Sequence, residues 1–207
     1  MPIVIEPKIN GYRIEIHRNG GVKIFTDGGK ERSEILVDLT NEAKSLSADN
    51  FILDGELILL KDGQPVPRAE MARVGVGKES IKDEEIRYYV FDVPYYEGDI
   101  SEKPLSERLK ILDKILPKDL KYIKRMPSWE VSNKKEYDAA VKKAIDFGSS
   151  EGFMGKELES PYTIGRGPGW VKMKITKEIK IKTIGILKKP NPWDKKPDRD
   201  LTGQEAL

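Results

Sequence analysis

The sequence predicts an α+β fold in which antiparallel sheets are flanked by helices. Residues 12–17 and 22–26 alternate between apolar and polar side chains, which is typical of strands with one buried face. Asn19-Gly20-Gly21 between these runs is a hairpin signal, because such residues accept the positive φ angles of a tight turn. Residues 106–116 carry an apolar stripe at helical spacing and predict one of the flanking helices.

Composition excludes several classes of protein and site. The 207 residues suffice for one large or two small domains. Cys is absent and His17 is the single histidine, which excludes disulfides, thiolate sites and multi-histidine metal sites. Any metal is therefore expected on carboxylate and phosphate oxygens, a ligand set that suits Mg²⁺.

The chain also lacks the marks of a membrane or secreted protein. Its apolar runs are all shorter than the roughly 18 to 20 residues that a membrane span needs. No basic stretch followed by a long apolar run opens the sequence. We therefore expect a cytoplasmic protein with no membrane partner.

The first candidate site follows a predicted strand at residues 2–6. Lys8 ends this apolar run, and Gly11 follows three residues later. A lysine amine becomes a nucleophile only when burial or neighbouring cations lower its pKa. We interpret Lys8 as a residue that attacks a nucleotide α-phosphate, and the alternative is a surface lysine before a hairpin.

The second candidate site interrupts a buried strand. A helix is predicted for residues 39–46, with Asp38 or Thr40 as its N-cap. The strand after it, residues 51–60, is almost continuously apolar except for Asp54-Gly55-Glu56. Buried carboxylates are costly unless they are paired or bind a metal, which favours a functional role. The alternative is a β-bulge at Gly55 that turns both acids to solvent.

Two further helices and two strands are predicted between residues 67 and 148. A short helix is expected near residues 67–74, and strands at residues 86–96 and 122–126. A helix is expected from its cap at Asn133 to Phe147, with Gly148 ending it.

The C-terminal part of the chain is cationic. Residues 161–169 form a glycine-rich loop, and residues 170–175 then alternate strictly, so Lys172 and Lys174 share one face of a strand. An anion between these ammonium groups is a natural partner, and the alternative is an exposed strand face. One more strand is expected at residues 180–187, followed by a charged, proline-rich tail at residues 188–207 that is poorly ordered or a linker.

Five motifs then follow one another along the chain. They are Lys8-Ile9-Asn10-Gly11-Tyr12-Arg13, Asp54-Gly55-Glu56, Tyr89-Val90-Phe91-Asp92-Val93, Glu151-Gly152-Phe153-Met154-Gly155-Lys156 and Trp170-Val171-Lys172-Met173-Lys174. In this order they resemble the nucleotidyltransferase (adenylation) domain of ATP-dependent DNA ligases, within the ligase and mRNA-capping superfamily. The resemblance implies an ATP-grasp-like nucleotidyltransferase domain at residues 1–187. It also implies that residues 188–207 lead toward an OB-fold domain that is absent or truncated.

The resemblance also implies roles for single residues. Lys8 matches the nucleophile that forms lysyl-AMP from ATP. The implied metal-associated acids are Glu56 and Glu151, with Mg²⁺ as the metal. The implied nucleotide-binding residues are Glu6 at the adenine edge, Arg13 and Glu56 near the ribose, Phe91 stacked on adenine, and Lys156, Arg166, Lys172 and Lys174 near the nucleotide or its phosphates.

Two features depart from the ligase pattern. Asn10 stands where DNA ligases have Asp, and the loop at residues 26–29 lacks an arginine. We expect a monomer that seals nicked duplex DNA, with an OB-fold domain acting in trans or missing from this chain. The alternatives are the adenylation domain of an RNA ligase, which Asn10 favours, and a non-catalytic nucleotide- or DNA-binding module.

Overall fold

The computed structural model describes residues 2–66, 68–71, 74, 81, 86–149, 151–165 and 167–174. The predicted strand at residues 180–187, the predicted tail and Arg166 lie outside these residues. In chain order the elements are β1 (Ile3–Pro7), β2 (Tyr12–Asn19), β3 (Val22–Thr26), α1 (Val37–Lys44), β4 (Asn50–Lys61), β5 (Gln64–Pro65), a 3₁₀ helix (Arg68–Met71), β6 (Ile86–Tyr96), α2 (Leu105–Ile115), β7 (Ile123–Arg125), β8 (Trp129–Val131), α3 (Lys134–Asp146), β9 (Gly152–Glu157) and β10 (Trp170–Lys174).

The smaller of two sheets has the strand order β10-β9-β1-β8. All of its pairings are antiparallel, as predicted. Helix α3 packs against β1, β8 and β9. Its buried residues are Ala140 and Ala144, and their small side chains allow close approach to apolar side chains of the sheet: Ile5, Val131 and Phe153.

The larger sheet has the strand order β3-β2-β4-β6-β7, and β5 pairs with the end of β4. The predicted hairpin of β2 and β3 is confirmed, with Ile16 opposite Ile24. The expected antiparallel pairing holds for the other strand pairs of this sheet, and β6 and β7 are parallel. The chain between them passes through α2, and such a crossover returns the next strand in the same direction.

The main hydrophobic core lies against the larger sheet. Helix α2 packs on β6, and α1 packs on β3 and β7. The buried side chains of these helices include Leu39, Leu105 and Leu112. Among the described residues, no helix has the length and apolar character needed to cross a membrane.

The sequence predicted the N-cap of α3 correctly but not that of α1. Asn133 caps α3 as predicted, since its side chain accepts a hydrogen bond from Glu136 N at 3.0 Å. The predicted caps of α1 are wrong, because Leu36 occupies the N-cap position without a side-chain hydrogen bond. Asp38 lies instead in the first turn, where a carboxylate favours the helix dipole.

Helix α2 is joined to β6 by a fully buried ion pair. Arg108 Nε lies 2.8 Å from Asp92 Oδ1, and Arg108 Nη2 lies 2.9 Å from Asp92 Oδ2. The remaining nitrogen, Nη1, donates to backbone carbonyls, including Ser160 O at 3.1 Å. This two-pronged arrangement fixes the strand that carries Phe91.

Candidate active site

Lys8 follows β1 directly, in a turn that side chains hold at both ends. Lys8 N donates to Ser149 Oγ at 2.8 Å, and Gly11 N donates to Glu56 Oε1 at 2.9 Å. A Cβ at Gly11 would lie 2.3 Å from Leu57 O, so the close approach of this turn to β4 requires glycine. These contacts fix the backbone of Lys8 between β1 of the smaller sheet and β4 of the larger sheet.

The amine of Lys8 has both an acidic partner and a depressed pKa. Its Nζ forms an ion pair with Glu151 Oε2, and one fifth of the Lys8 side chain is exposed. Burial lowers the pKa of Lys8, and the charges of Lys172 and Lys174 lower it further, while Glu56 opposes them. Burial is the largest cause of this lowered pKa, and the cations expected from the sequence are smaller causes. Both favour the neutral form of the Lys8 amine.

Lys172 and Lys174 lie in β10, the edge strand that pairs with β9. They are opposite Met154 and Gly152, respectively. Both side chains are exposed, and strand alternation places them on the same face. Because both charges act on Lys8, this cationic face is directed toward the predicted nucleophile.

Arg13 is anchored by an acid that the sequence placed in the second candidate site. Its Nε and Nη2 lie 3.0 and 2.6 Å from the two carboxylate oxygens of Asp54, which is fully buried. Tyr162 Oη donates to Asp54 Oδ2 at 2.9 Å and accepts from Arg13 Nη2 at 3.2 Å. The guanidinium lies 5.8 Å from the ring centroid of Phe91, so these two candidate residues are adjacent.

The structure contradicts the alternative of a bulge at Gly55 that turns both acids to solvent. The pairing of β4 with β6 shifts register around Asp54, but the extra residues lie on β6. Neither acid is turned to solvent, because Asp54 pairs with Arg13 and Glu56 is only partly exposed. Burial raises the pKa of Glu56 to about 7, although the hydrogen bond from Gly11 N lowers it.

Glu6 and Lys156 form a second buried ion pair, next to aromatic rings. Lys156 Nζ lies 2.6 Å from Glu6 Oε2, and each side chain is 2% exposed. The same ammonium lies 4.5 Å from the ring centroid of Phe91 and 3.9 Å from that of Trp170. Within the described part of the chain, Glu6 Oε1 has no hydrogen-bond partner and the Lys156 ammonium has no polar partner besides Glu6 Oε2. The pair therefore presents an unsatisfied polar edge beside a stacking surface.

The structure thus brings most of the candidate residues together in two neighbouring groups. One surrounds the amine of Lys8 and contains Glu56, Glu151, Lys172 and Lys174. The other surrounds the ring of Phe91 and contains Glu6, Arg13 and Lys156. The position of the remaining candidate, Arg166, is outside the described residues.

Four residues near these groups were not candidates from the sequence. Arg68 adds a further positive charge that lowers the pKa of Lys8. Ser149, Tyr162 and Trp170 contact the candidate residues through hydrogen bonds or their rings. Only Trp170 lay inside one of the five motifs. Its spacing of two and four residues from Lys172 and Lys174 places it on their face of β10, and this was the one signal that could have indicated a role in the site.

Comparisons with known proteins agree on a single family. The model of the family described as "ATP dependent DNA ligase domain" matches residues 1–174. A DNA ligase of Methanoculleus marisnigri is 32% identical over 179 residues, which are 83% of this chain and 32% of that protein. A probable DNA ligase of Pseudarthrobacter chlorophenolicus is 34% identical over 175 residues, 82% of this chain and 33% of that protein. The chain thus spans about a third of the length of these relatives.

Solved structures show the same fold. The ligase domain of LigD from M. tuberculosis has a TM-score of 0.64 at 20% identity, over 84% of this chain and 53% of that one. The Chlorella virus DNA ligase-adenylate has a TM-score of 0.63 at 20% identity, over 84% of this chain and 61% of that one. Mixed sheets flanked by few helices are common to these structures and this chain.

Proposed function

The chain belongs to the ATP-dependent DNA ligase domain family, and from this membership we propose that Lys8 carries AMP during the sealing of nicked DNA. The observation that carries the proposal is the environment of the Lys8 amine. It is a partly buried amine with a lowered pKa, on a turn fixed by Glu56 and Ser149, and it faces the cations of β10. This combination is what a lysine nucleophile requires.

The first step joins Lys8 to the nucleotide. Neutral Lys8 Nζ attacks the α-phosphorus of ATP, a nitrogen–phosphorus bond forms, and the bond to the bridging oxygen of the β-phosphate breaks. Pyrophosphate leaves with its electron pair, and the amine loses a proton. The products are lysyl-AMP and pyrophosphate.

The next two steps use the DNA. An oxygen of a DNA 5′-phosphate attacks the phosphorus of lysyl-AMP, the nitrogen–phosphorus bond breaks, and Lys8 regains a proton. The 3′-hydroxyl at the nick then attacks the DNA phosphate that carries AMP. This attack forms the phosphodiester bond and releases AMP.

The charges around Lys8 suit an anionic, phosphate-bearing substrate. Phosphoryl transfer depends mainly on positioning and on neutralising the charge of the phosphate oxygens. Lys172 and Lys174 share a face of β10 and act on Lys8 electrostatically. Nucleotide phosphates bound beside them would lie next to the amine that attacks.

Glu56 and Glu151 are the residues that would hold Mg²⁺. Among the described residues there is no group of three His, Asp or Glu side chains that could hold a metal ion by itself. Two carboxylates together with phosphate oxygens and water form the incomplete protein ligand set that Mg²⁺ commonly uses. The ion would supply positive charge at the phosphates. Glu151, now paired with Lys8, would then leave the amine free of its acidic partner.

The groups around Phe91 would bind the base. Its ring offers a stacking surface, while Glu6 Oε1 is an unused acceptor beside it and the Lys156 ammonium, which contacts only Glu6 Oε2 among polar atoms of the described residues, has donor capacity left. An adenine edge offers an amino donor and a ring-nitrogen acceptor, which complement these two groups. Arg13, held by Asp54, would contact the ribose side and later the nick.

The partners follow from the family and remain part of the proposal. We place the nucleotidyltransferase domain at residues 1–187 and the start of a linker at residues 188–207. Nicked duplex DNA would be the macromolecular substrate, with an OB-fold domain contributing in trans or in a longer form of the protein. The domain itself would be a monomer in the cytoplasm.

Covalent labelling tests the proposal directly. The protein is incubated with Mg²⁺ and α-labelled ATP or GTP, and Lys8→Ala is treated in parallel. We expect an acid-labile, alkali-stable label from ATP on Lys8 and none on the variant. Arg87→Ala, a substitution in β6, serves as the control and is expected to take up the label normally.

Other outcomes assign the chain differently. No label from either nucleotide, with excess protein and long incubation, contradicts a catalytic role and favours a binding module. Label on Lys8→Ala shows that another residue is the nucleophile. Transfer of AMP to nicked RNA in preference to nicked DNA identifies an RNA ligase, the alternative that Asn10 favours.

A further inference from the structure

We propose that Ser149 is a positioning residue for Lys8, and this inference rests on the proposed role of Lys8 as nucleophile. Ser149 is 2% exposed and lies just after α3. It belongs to none of the five motifs. Its hydroxyl nevertheless contacts the backbone of the predicted nucleophile, 141 residues away in the sequence.

The hydroxyl binds both polar backbone groups of Lys8. Ser149 Oγ accepts from Lys8 N at 2.8 Å and is placed to donate to Lys8 O at 3.0 Å. The same proton can instead be donated to Gly152 O, which itself accepts from Lys8 N at 3.1 Å. The backbone bond between Lys8 and Gly152 extends the pairing of β1 and β9 by one residue, and the Ser149 hydroxyl contacts both of these residues and limits the rotation of the Lys8 backbone.

The turn that carries this hydroxyl is itself tied to its surroundings. Ser149 N donates to Ala144 O in the last turn of α3 at 3.2 Å. Gly152 has a φ of 128°, and a Cβ there would lie 2.0 Å from Met173 O in β10. The turn thus connects Lys8 with two other parts of the site, Glu151 and the cationic strand β10.

Ser149 would act through geometry and take no proton. Fixing the Lys8 backbone keeps the amine in its partly buried place beside Glu151. A reacting atom displaced by about 1 Å can lose about 100-fold in rate. Without the hydroxyl, the Lys8 backbone can rotate and carry the amine away from the position in which it attacks.

Three substitutions of Ser149 separate its hydroxyl from its volume. Ser149→Ala removes the hydroxyl, Ser149→Cys replaces it with a weak hydrogen-bonding group of similar size, and Ser149→Thr keeps it. Ser160→Ala is the matched control. Ser160 is also buried, but its hydroxyl donates to the nearby Glu157 O at 2.7 Å and does not contact Lys8.

The first measurement is single-turnover formation of lysyl-AMP at a series of ATP concentrations. We expect the maximal rate of Ser149→Ala to fall about tenfold, while the half-saturating ATP concentration changes less than about twofold. Ser149→Thr should recover most of the rate, and Ser160→Ala should match the wild type. A wild-type rate in Ser149→Ala, or a loss confined to ATP affinity, overturns the positioning role. If Ser149→Ala does not fold, Ser149→Cys takes its place.

The second measurement needs no ligase activity. Hydrogen–deuterium exchange of the nucleotide-free protein follows the backbone amide of Lys8, which donates to Ser149 Oγ and Gly152 O. We expect this amide to exchange faster in Ser149→Ala and at the wild-type rate in Ser160→Ala. An unchanged exchange rate in Ser149→Ala overturns the positioning role whatever the adenylation rate. Faster exchange in a protein that takes no AMP from ATP supports Ser149 and refutes the proposed function.

Discussion

Two buried ion pairs in this molecule have the same burial but very different surroundings. Arg108 and Asp92 join α2 to β6, and each of the three nitrogens of the Arg108 guanidinium donates a hydrogen bond. Glu6 and Lys156 join β1 to β9 through a single contact of 2.6 Å, so one oxygen of Glu6 and part of the donor capacity of the Lys156 ammonium lack a polar partner among the described residues. Both pairs are at most 2% exposed.

The difference separates a structural pair from one prepared for a ligand. Native proteins satisfy almost all buried polar atoms, so each exception requires an explanation. The Arg108 pair is complete within the protein and holds Asp92, the neighbour of Phe91 in β6. The Glu6 pair lies beside the ring of Phe91 itself and leaves hydrogen-bonding capacity for another molecule. Burial alone does not distinguish these roles, but hydrogen-bond satisfaction does.

The largest effect is expected when the complete pair is broken. Arg108→Leu leaves Asp92 as an uncompensated buried charge and removes the bonds to the backbone carbonyls. Loss of one partner from such a pair costs about 3–5 kcal/mol of the free energy of unfolding. Urea denaturation followed by circular dichroism measures this loss.

The control is a pair on the surface, and ligand binding completes the test. Lys134→Ala breaks the exposed contact with Asp138 in α3 and should leave the free energy of unfolding unchanged within error. Folded Arg108→Leu should bind AMP with an affinity close to that of the wild type. A loss of less than about 1 kcal/mol of the free energy of unfolding in Arg108→Leu would show that this ion pair does not stabilise the fold.

Breaking the pair of Glu6 and Lys156 is expected to cost less stability than breaking the Arg108 pair, but to weaken AMP binding clearly. Lys156→Met keeps the apolar stem on the rings of Phe91 and Trp170 but removes the charge. Only one close polar contact is lost, so the free energy of unfolding should fall by about 1–3 kcal/mol. The affinity for AMP should fall at least about tenfold, because a donor to the base is lost. Calorimetric titration measures the affinity.

The double variant Glu6→Gln, Lys156→Met separates the two effects. Gln removes the unpaired charge, so most of the lost stability should return. AMP binding should remain weak, because the donor at position 156 is still missing. Wild-type affinity for AMP in Lys156→Met would show that the unsatisfied edge does not bind the base and would break the comparison.

Local patterns were sufficient to predict much of the fold. The Asn19-Gly20-Gly21 signal predicted the hairpin of β2 and β3, and alternation predicted β10 with its two lysines on one face. The interrupted apolar run predicted buried acids in β4, and Asp54 is fully buried. Each of these features depends on residues that are close together in the sequence.

Features that depend on distant contacts were not predictable in this way. β8 has only three residues, which are too few to show alternation, and it forms by pairing with β1. The contact of Ser149 with Lys8 spans 141 residues, and that of Tyr162 with Asp54 spans 108. No local spacing indicates such contacts, so the motifs identified the reactive residues but not those that hold them in place.

The smallest effect extends the comparison to Glu56, whose burial is also incompletely compensated. Burial raises its pKa from 4.5 to about 7 in the folded protein. Between these values the folded state holds a proton that the unfolded state has lost. The free energy of unfolding should therefore decrease as pH rises from about 5 to 7, by at most about 1.4 kcal/mol per pH unit from this group.

Glu56→Gln isolates this contribution. Glutamine still accepts the hydrogen bond from Gly11 N but does not titrate, so the variant should lack the decrease while other groups titrate as in the wild type. Urea denaturation of both proteins at half-unit steps from pH 5 to 8 gives the difference. This difference should be small at pH 5, grow in favour of Glu56→Gln toward pH 7 and then level off. A difference that stays constant across the range would show that Glu56 is already ionised at pH 5. Its burial would then be compensated as fully as that of the Arg108 pair, and Glu56 would belong with the structural charges.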